Sequence, residues 1–287
     1  GLSGSYQWLS ASLLILPQCF LLGATFPLLS AGYLRLTVNQ EGAVLGGLYF
    51  SNSVGAAFGA LVTTFAILPL VGLPGSMLTA GLLNLLVALG AWTISKRRES
   101  PSGTGTPATR TTAATNPAGD PAASMLRLVL WSTALSGGFS FAYEIGWIRM
   151  LNQALGSTMH SFELMLSAFI FGLAFGGLWV RWRSEKLGNA LLTAGYAQVA
   201  MGIAALVSIV CFANSFAWVG WLMTGLDRSP EGYTLYSIGT AVIASVIMFP
   251  AAFFAGTTLP LFSLTLLRHG HGESSIGRVY AANTLGA

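Results

Sequence analysis

Apolar residues run along this chain in long unbroken blocks, divided by short polar or glycine- and proline-bearing gaps. A helix needs about 20 predominantly apolar residues to cross a bilayer, and several blocks exceed that. The blocks predict eight spans: Tyr6 to Leu34, Ala43 to Val71, Gly75 to Ile94, Leu126 to Ile148, Ser161 to Val180, Leu187 to Ala213, Tyr233 to Leu267, and an eighth beginning near Ile276. A Trp-rich piece from Phe216 to Leu226 is too short to cross and is expected at the membrane interface. Nothing alternates in the ten-residue manner of a transmembrane β-barrel. The expected class is an all-α polytopic membrane protein.

Composition agrees with the pattern. Of the 287 residues, 54% are hydrophobic and only 8% charged, against about 25% charged in soluble domains. Mean hydropathy is +0.69. Three small-xxx-small pairs, Gly42 with Gly46, Gly55 with Gly59 and Gly172 with Gly176, predict close helix crossings. Cys19 and Cys211 fall inside apolar runs and read as small buried hydrophobes rather than a disulfide. No zinc spacing, P-loop or dinucleotide fingerprint occurs, so no cofactor or metal is expected in this chain, and no nucleic-acid partner.

Residues 96–125, rich in Ser, Thr, Pro, Gly and Ala, read as a flexible linker. They divide the chain into a 1–95 segment of three spans and a 126–287 segment holding the rest. With Arg35 on the cytoplasmic side, alternating loops put eleven of the thirteen Lys and Arg residues on that side, leaving only Arg149 and Arg228 opposite. That bias predicts a bacterial inner-membrane, multi-pass protein with a cytoplasmic linker. No basic leader precedes the first run, so Gly1 reads as interior to something longer.

The chain also repeats itself. "GGLYFSNSVGA" (Gly46 to Ala56) returns as "GRVYAANTLGA" (Gly277 to Ala287). Pro17, Gly23, Thr25, Pro27, Leu28 and Arg35 recur 233 positions later as Pro250, Gly256, Thr258, Pro260, Leu261 and Arg268, and Tyr49 and Asn52 recur 231 later as Tyr280 and Asn283. First and seventh spans are thus equivalent, as are second and eighth. A six-span period gives both copies the same orientation, which predicts parallel six-helix repeats, about twelve spans in a complete protein, seen here as a partial window.

Ionisable groups inside spans are costly and mark candidate sites. Glu144 and Glu163 qualify. At 1.5 Å per residue, Glu144 lies roughly 26 Å above the cytoplasmic face and Glu163 roughly 9 Å below the outer one, so the two are expected at one level with Arg149 and His160 nearby. Either Arg149 and His160 neutralise the glutamates and pin two helices together, or the glutamates form an anionic pocket for an amine cation. Thr25 with Pro27 and Thr258 with Pro260 predict broken helices whose freed carbonyls the hydroxyls help satisfy, a feature of transporter sites or a plain kink. Asn52 and Asn283, each three residues after a tyrosine (Tyr49, Tyr280), read as interhelical clamps or substrate contacts. His269 and His271 are expected to be solvated.

Several stretches carry a resemblance. "LSGGFSFAYEIGWIRMLNQALGSTMHSFELMLSAFIFGLAFGG" (Leu135 to Gly177), with Tyr143, Glu144, Trp147 and Arg149 as its "YExxWxR" core, resembles the membrane region of bacterial spermidine-synthase-like proteins, as do "GATFPLL", "GTTLPLF" and "GRVYAANTLGA". In that family a major-facilitator-like helical domain is fused to a soluble aminopropyltransferase. The resemblance implies a transporter-like membrane domain, a polyamine or other small amine as partner, and a catalytic domain downstream of Ala287. It also implies that this chain lacks the catalysis: its two aspartates, Asp120 and Asp227, sit in no glycine- and aspartate-rich loop. The other classes are a stand-alone secondary transporter of small molecules and a purely structural membrane anchor.

Overall fold

The computed structural model describes residues 2–37, 40–98, 121–156, 158–227 and 229–287. Every element among them is helical: α1 (Leu2–Leu34), α2 (Glu41–Val62), a π-turn (Thr63–Ile67), α3 (Leu68–Arg98), α4 (Pro121–Leu155), α5 (Met159–Arg183), a 3₁₀ turn (Ser184–Lys186), α6 (Ala190–Gly225), α7 (Pro230–Arg268) and α8 (Ser274–Gly286). Most of the expected linker lies outside the described residues.

Local chemistry sets the helix starts. The side chains of Thr158, Asn189 and Ser229 accept from the backbone N–H of Ser161, Leu192 and Gly232 at the starts of α5, α6 and α7, each satisfying a donor that a helix start leaves orphaned. Pro230 occupies the first turn of α7, where its missing N–H costs nothing.

Five stretches are long and apolar enough to cross a membrane: Gly4–Leu34, Glu41–Lys96, Met159–Lys186, Ala190–Gly225 and Pro230–Arg268. The 56-residue Glu41–Lys96 stretch covers the expected second and third spans. It is interrupted at Gly72, whose φ of 67° is open to glycine and strained for other residues. Beyond that point α3 is not packed back along α2. α4 and α8 do not join the five: α4 carries Glu144 and a run of polar and small residues at its centre, and α8 has 13 residues.

Two expectations need correcting. The Trp-rich piece from Phe216 is no separate interfacial segment but the last turns of α6, which runs unbroken to Gly225. Asn214 and Ser215, just past the expected end at Ala213, turn their side chains back onto the carbonyls of Val210 and Phe212 at 2.9 and 2.7 Å, so the helix passes through them. Likewise α1 and α7 are continuous through Pro17, Pro27, Pro250 and Pro260. Thr258 donates to Ala255 O at 2.7 Å rather than to Gly256 O, the carbonyl that Pro260 leaves without an N–H, and Thr25 bonds Leu21 and Leu22.

α7 is the central post. From Ala255 to Leu266 every residue is buried. α5 lies against it on one face and against α2 on another. Both crossings are backbone to backbone. A methyl group at Gly46 would lie 2.6 Å from Gly177 O and from Arg181 N, and one at Gly176 would lie 2.9 Å from Gly256 C and Thr257 N. Two of the three small-xxx-small pairs therefore seat helices, whereas Gly55 and Gly59 have nothing within 4 Å. Two apolar clusters fill the bundle, one around Trp147, Leu151, Met165, Ile247 and Met248, the other around Leu45, Val180, Leu261, Leu264 and Ile276.

Interhelix bonds gather the α1–α2, α5–α6 and α7–α8 connections and the start of α4 at one end. The Arg35 guanidinium pairs with Glu273 at 2.7 Å, Arg268 donates to the carbonyls of Leu187 and Ser184, and the His271 ring bonds Ala122 O at 3.0 Å. His269 is exposed, as expected, with its ring bonded to Thr265 O at 2.7 Å, whereas His271 is half-buried. Cys19 is exposed on α1 rather than buried, because α1 turns most of its surface outward, and neither cysteine is in a disulfide.

Thermal unfolding in detergent checks the glycine seams. Gly46→Ala is expected to cost about 1–3 kcal/mol through forced backbone displacement. Gly59→Ala should be neutral or slightly stabilising, within about 1 kcal/mol, because it gains helix propensity and meets nothing.

Candidate functional site

On α4, Ser136, Ser140 and Glu144 follow one another at intervals of four, so they share a face. That face lines a cavity of about 150 Å³ closed by α2, α5, α7 and α8. Tyr49 comes from α2, Phe169 and Leu173 from α5, Thr258 and Leu259 from α7, and Asn283 from α8.

The cavity exists because α4 and α8 approach at backbone range. A methyl group at Gly137 would lie 2.9 Å from Asn283 Oδ1, and one at Gly138 2.8 Å from Gly286 O. The paired glycines let Asn283 reach the rim.

Glu144 is half-buried and the one charged side chain among the lining residues. Among the described residues it has no ion pair, the single one being Arg35–Glu273. Ser136 is committed, accepting from the Gln198 side-chain amide of α6, and Thr258 donates to its own helix. Glu144 and Asn283 make no side-chain hydrogen bond within the described residues, so an anion and an amide face the same small space without protein partners.

The structure brings four of the expected residues together, Glu144, Tyr49, Thr258 and Asn283, and sends the others elsewhere. Arg149 is exposed and pairs with neither glutamate. His160 packs its ring on Phe65 at 5.1 Å, and Glu163 does not line the cavity. The expected single group of Glu144, Glu163, Arg149 and His160 is therefore not assembled. The expected common level does not hold either: α5 meets Glu144 at Phe169 and Leu173, six and ten residues beyond Glu163, roughly 9–15 Å along the helix.

Tyr143 and Trp147 have structural roles here. Their rings stack at 5.5 Å, Trp147 is buried, and its indole N–H donates to Ser208 Oγ at 2.8 Å across to α6. The repeat partners diverge as well: Thr258 is buried and Thr25 exposed, Pro260 buried and Pro27 half-buried, Asn283 half-buried and Asn52 exposed. The tyrosines stay close, because Phe26 packs on Tyr280 at 5.5 Å and on Tyr49 at 6.0 Å.

Compared with protein-family models, curated proteins and solved structures, the chain matches none. The site stands on its own geometry.

Sequence reasoning missed Ser136, Ser140 and Gln198. The first two carried a legible signal, the four-residue spacing that ends on Glu144. Gln198, sixty-two residues from Ser136, carried none.

The Trp147–Ser208 bond yields a double-mutant test by chemical or thermal unfolding. Trp147→Phe should cost about 0.5–1.5 kcal/mol from the lost bond alone, and Ser208→Ala about 1–3 kcal/mol because it strands a buried N–H. The double variant should fall short of their sum.

Proposed function

We propose that this chain is a transporter-like membrane domain that binds a small amine cation in the Glu144 cavity. The observation that carries the reading is a lone carboxylate lining a partly open cavity of mixed polar and apolar character, with no cationic side chain among the described residues paired with it. A half-buried anion without a partner is partly stripped of water, and an ammonium group answers it while its carbon chain lies against Phe141, Phe169, Leu173 and Leu259. At about 30 Å³ per water, the cavity has room for roughly five waters, which suits one end of a linear amine rather than a bulky organic cation.

The wider reading is that the domain belongs to a spermidine-synthase-like protein of the bacterial inner membrane. There it anchors a soluble aminopropyltransferase domain and supplies it with amine. Support comes from the quoted motifs and from Glu144, the acidic residue of "YExxWxR", being the residue that faces the cavity. The parallel-repeat, major-facilitator-like architecture is supported by both copies of the repeated tyrosine meeting at Phe26. Placing the linker in the cytoplasm is supported by the gathering of Arg35, Arg181, Arg268 and the start of α4 at one end.

Glu144→Gln keeps the side chain's size and removes its charge. Isothermal titration calorimetry with spermidine is expected to show binding at least about tenfold weaker, roughly 1.4 kcal/mol, with the unfolding midpoint essentially unchanged. Equal affinity in a stably folded Glu144→Gln protein would refute the assignment.

A further inference from the structure

Glu163 sits one turn into α5, half-buried, and its Oε2 has no exposed surface and no hydrogen-bond partner. No cationic side chain among the described residues lies within 4.0 Å of it. A carboxylate oxygen shut away from both water and donors is disfavoured, and such a group in a folded protein calls for an occupant.

What faces it is equally unusual. α5 and α2 run antiparallel, and their contacts fix the register. The His160 ring packs on Phe65, Ser167 Oγ donates to Ala57 O at 3.5 Å, and Phe171 packs on Phe58 at 5.4 Å. Interpolated between the first two of these contacts, the level of Glu163 is that of residues 60–64, where α2 gives way to the Thr63–Ile67 π-turn. Its place four residues before Ser167 puts it on the side of α5 that meets α2. A π-turn lengthens the hydrogen-bond step by one residue and so disturbs the carbonyl ladder at its edges, a distortion that recurs at functional sites. Thr64, in that turn, is buried with its hydroxyl on Ala60 O at 3.0 Å.

We propose that Glu163 and the carbonyl oxygens at the α2 π-turn hold a monovalent alkali cation, with Na⁺ as the ion to test. Carboxylate and carbonyl oxygens are the hard donors that suit such ions. One carboxylate among neutral carbonyls matches a single positive charge. The nearest titratable neighbour on the same helix, His160, is engaged on Phe65, and Arg149 is exposed at the end of α4. The site is separate from the Glu144 cavity, and its test requires no amine.

Purified full-length chain in detergent is compared in NaCl, KCl and choline chloride at equal ionic strength. The unfolding midpoint is expected to rise saturably with Na⁺ by several degrees over choline. That rise should vanish in Glu163→Gln and persist in Glu231→Gln, which removes an exposed carboxylate at the start of α7. Equilibrium binding of radioactive sodium to the unaltered protein should saturate at one ion per chain, compete with Li⁺ and ignore choline. Should Glu163→Gln not fold, Glu163→Asp, which keeps the charge and shortens its reach, is expected to bind sodium at least about tenfold more weakly. The absence of saturable sodium binding to the unaltered protein would overturn the proposal, as would a folded Glu163→Gln protein that keeps the Na⁺-dependent rise.

Discussion

Backbone contact between α5 and its two neighbours is the constraint on which the rest of the molecule depends. In lipid there is little hydrophobic drive to bring apolar helices together, so association rests on packing and on the absence of side chains that would hold backbones apart. Gly46 and Gly177 let α2 meet α5, and Gly172, Gly176 and Gly256 let α5 meet α7. Once those crossings are closed, the position of every lining residue on α2, α5 and α7 follows. Tyr49 is set by the first seam, and Thr258 by the second, two residues beyond Gly256. The cavity is a by-product of three helices that cannot separate without opening a void along their whole length.

The polar cross-links do a different job. They are few, they lie at the ends, and they join connections rather than spans: Arg35 to Glu273, Arg268 to the turn after α5, His271 to the first turn of α4. An exposed ion pair such as the first contributes little stability by itself. Its value is positional, because it ties the α1–α2 connection to the α7–α8 loop. Within the membrane-spanning part, Trp147 to Ser208 and Gln198 to Ser136 tie α4 to α6.

Helix existence was legible because apolar blocks of that length admit few alternatives, whereas the starts capped by Thr158, Asn189 and Ser229 were not read from the apolar blocks. Boundaries were less legible. The sixth span was expected to end at Ala213, yet the side chains of Asn214 and Ser215 fold back onto a helix that continues to Gly225. The prolines of α7 read as a break too, but the helix continues through both, and at Pro260 it is buried on all sides, so packing holds its shape when one bond is lost. For the candidate site, a charge inside an apolar span identified Glu144 and repetition identified Tyr49, Thr258 and Asn283. Rise per residue put Glu163 at the level of Glu144, whereas α5 meets Glu144 at Phe169 and Leu173, six and ten residues further along. The axial register of α5 is set by where the glycine seams close, which a count from the helix ends does not give.

The glycine seam between α4 and α8 has a kinematic consequence. Two helices in backbone contact along Gly137, Gly138 and Gly286 cannot slide or roll independently, because any relative travel drives a carbonyl into a neighbouring chain. Glu144 and Asn283 therefore ride on one rigid body and keep a fixed spacing. The opposite wall, Phe169, Leu173 and Thr258, belongs to the α5–α7 body, which has its own seam. Between the two bodies α4 meets α5 and α7 chiefly through side chains, and side chains change rotamer where backbones cannot. Any change in the cavity is then the travel of one stiff slab across another, with the polar groups carried as a fixed pair and the apolar wall moving past them.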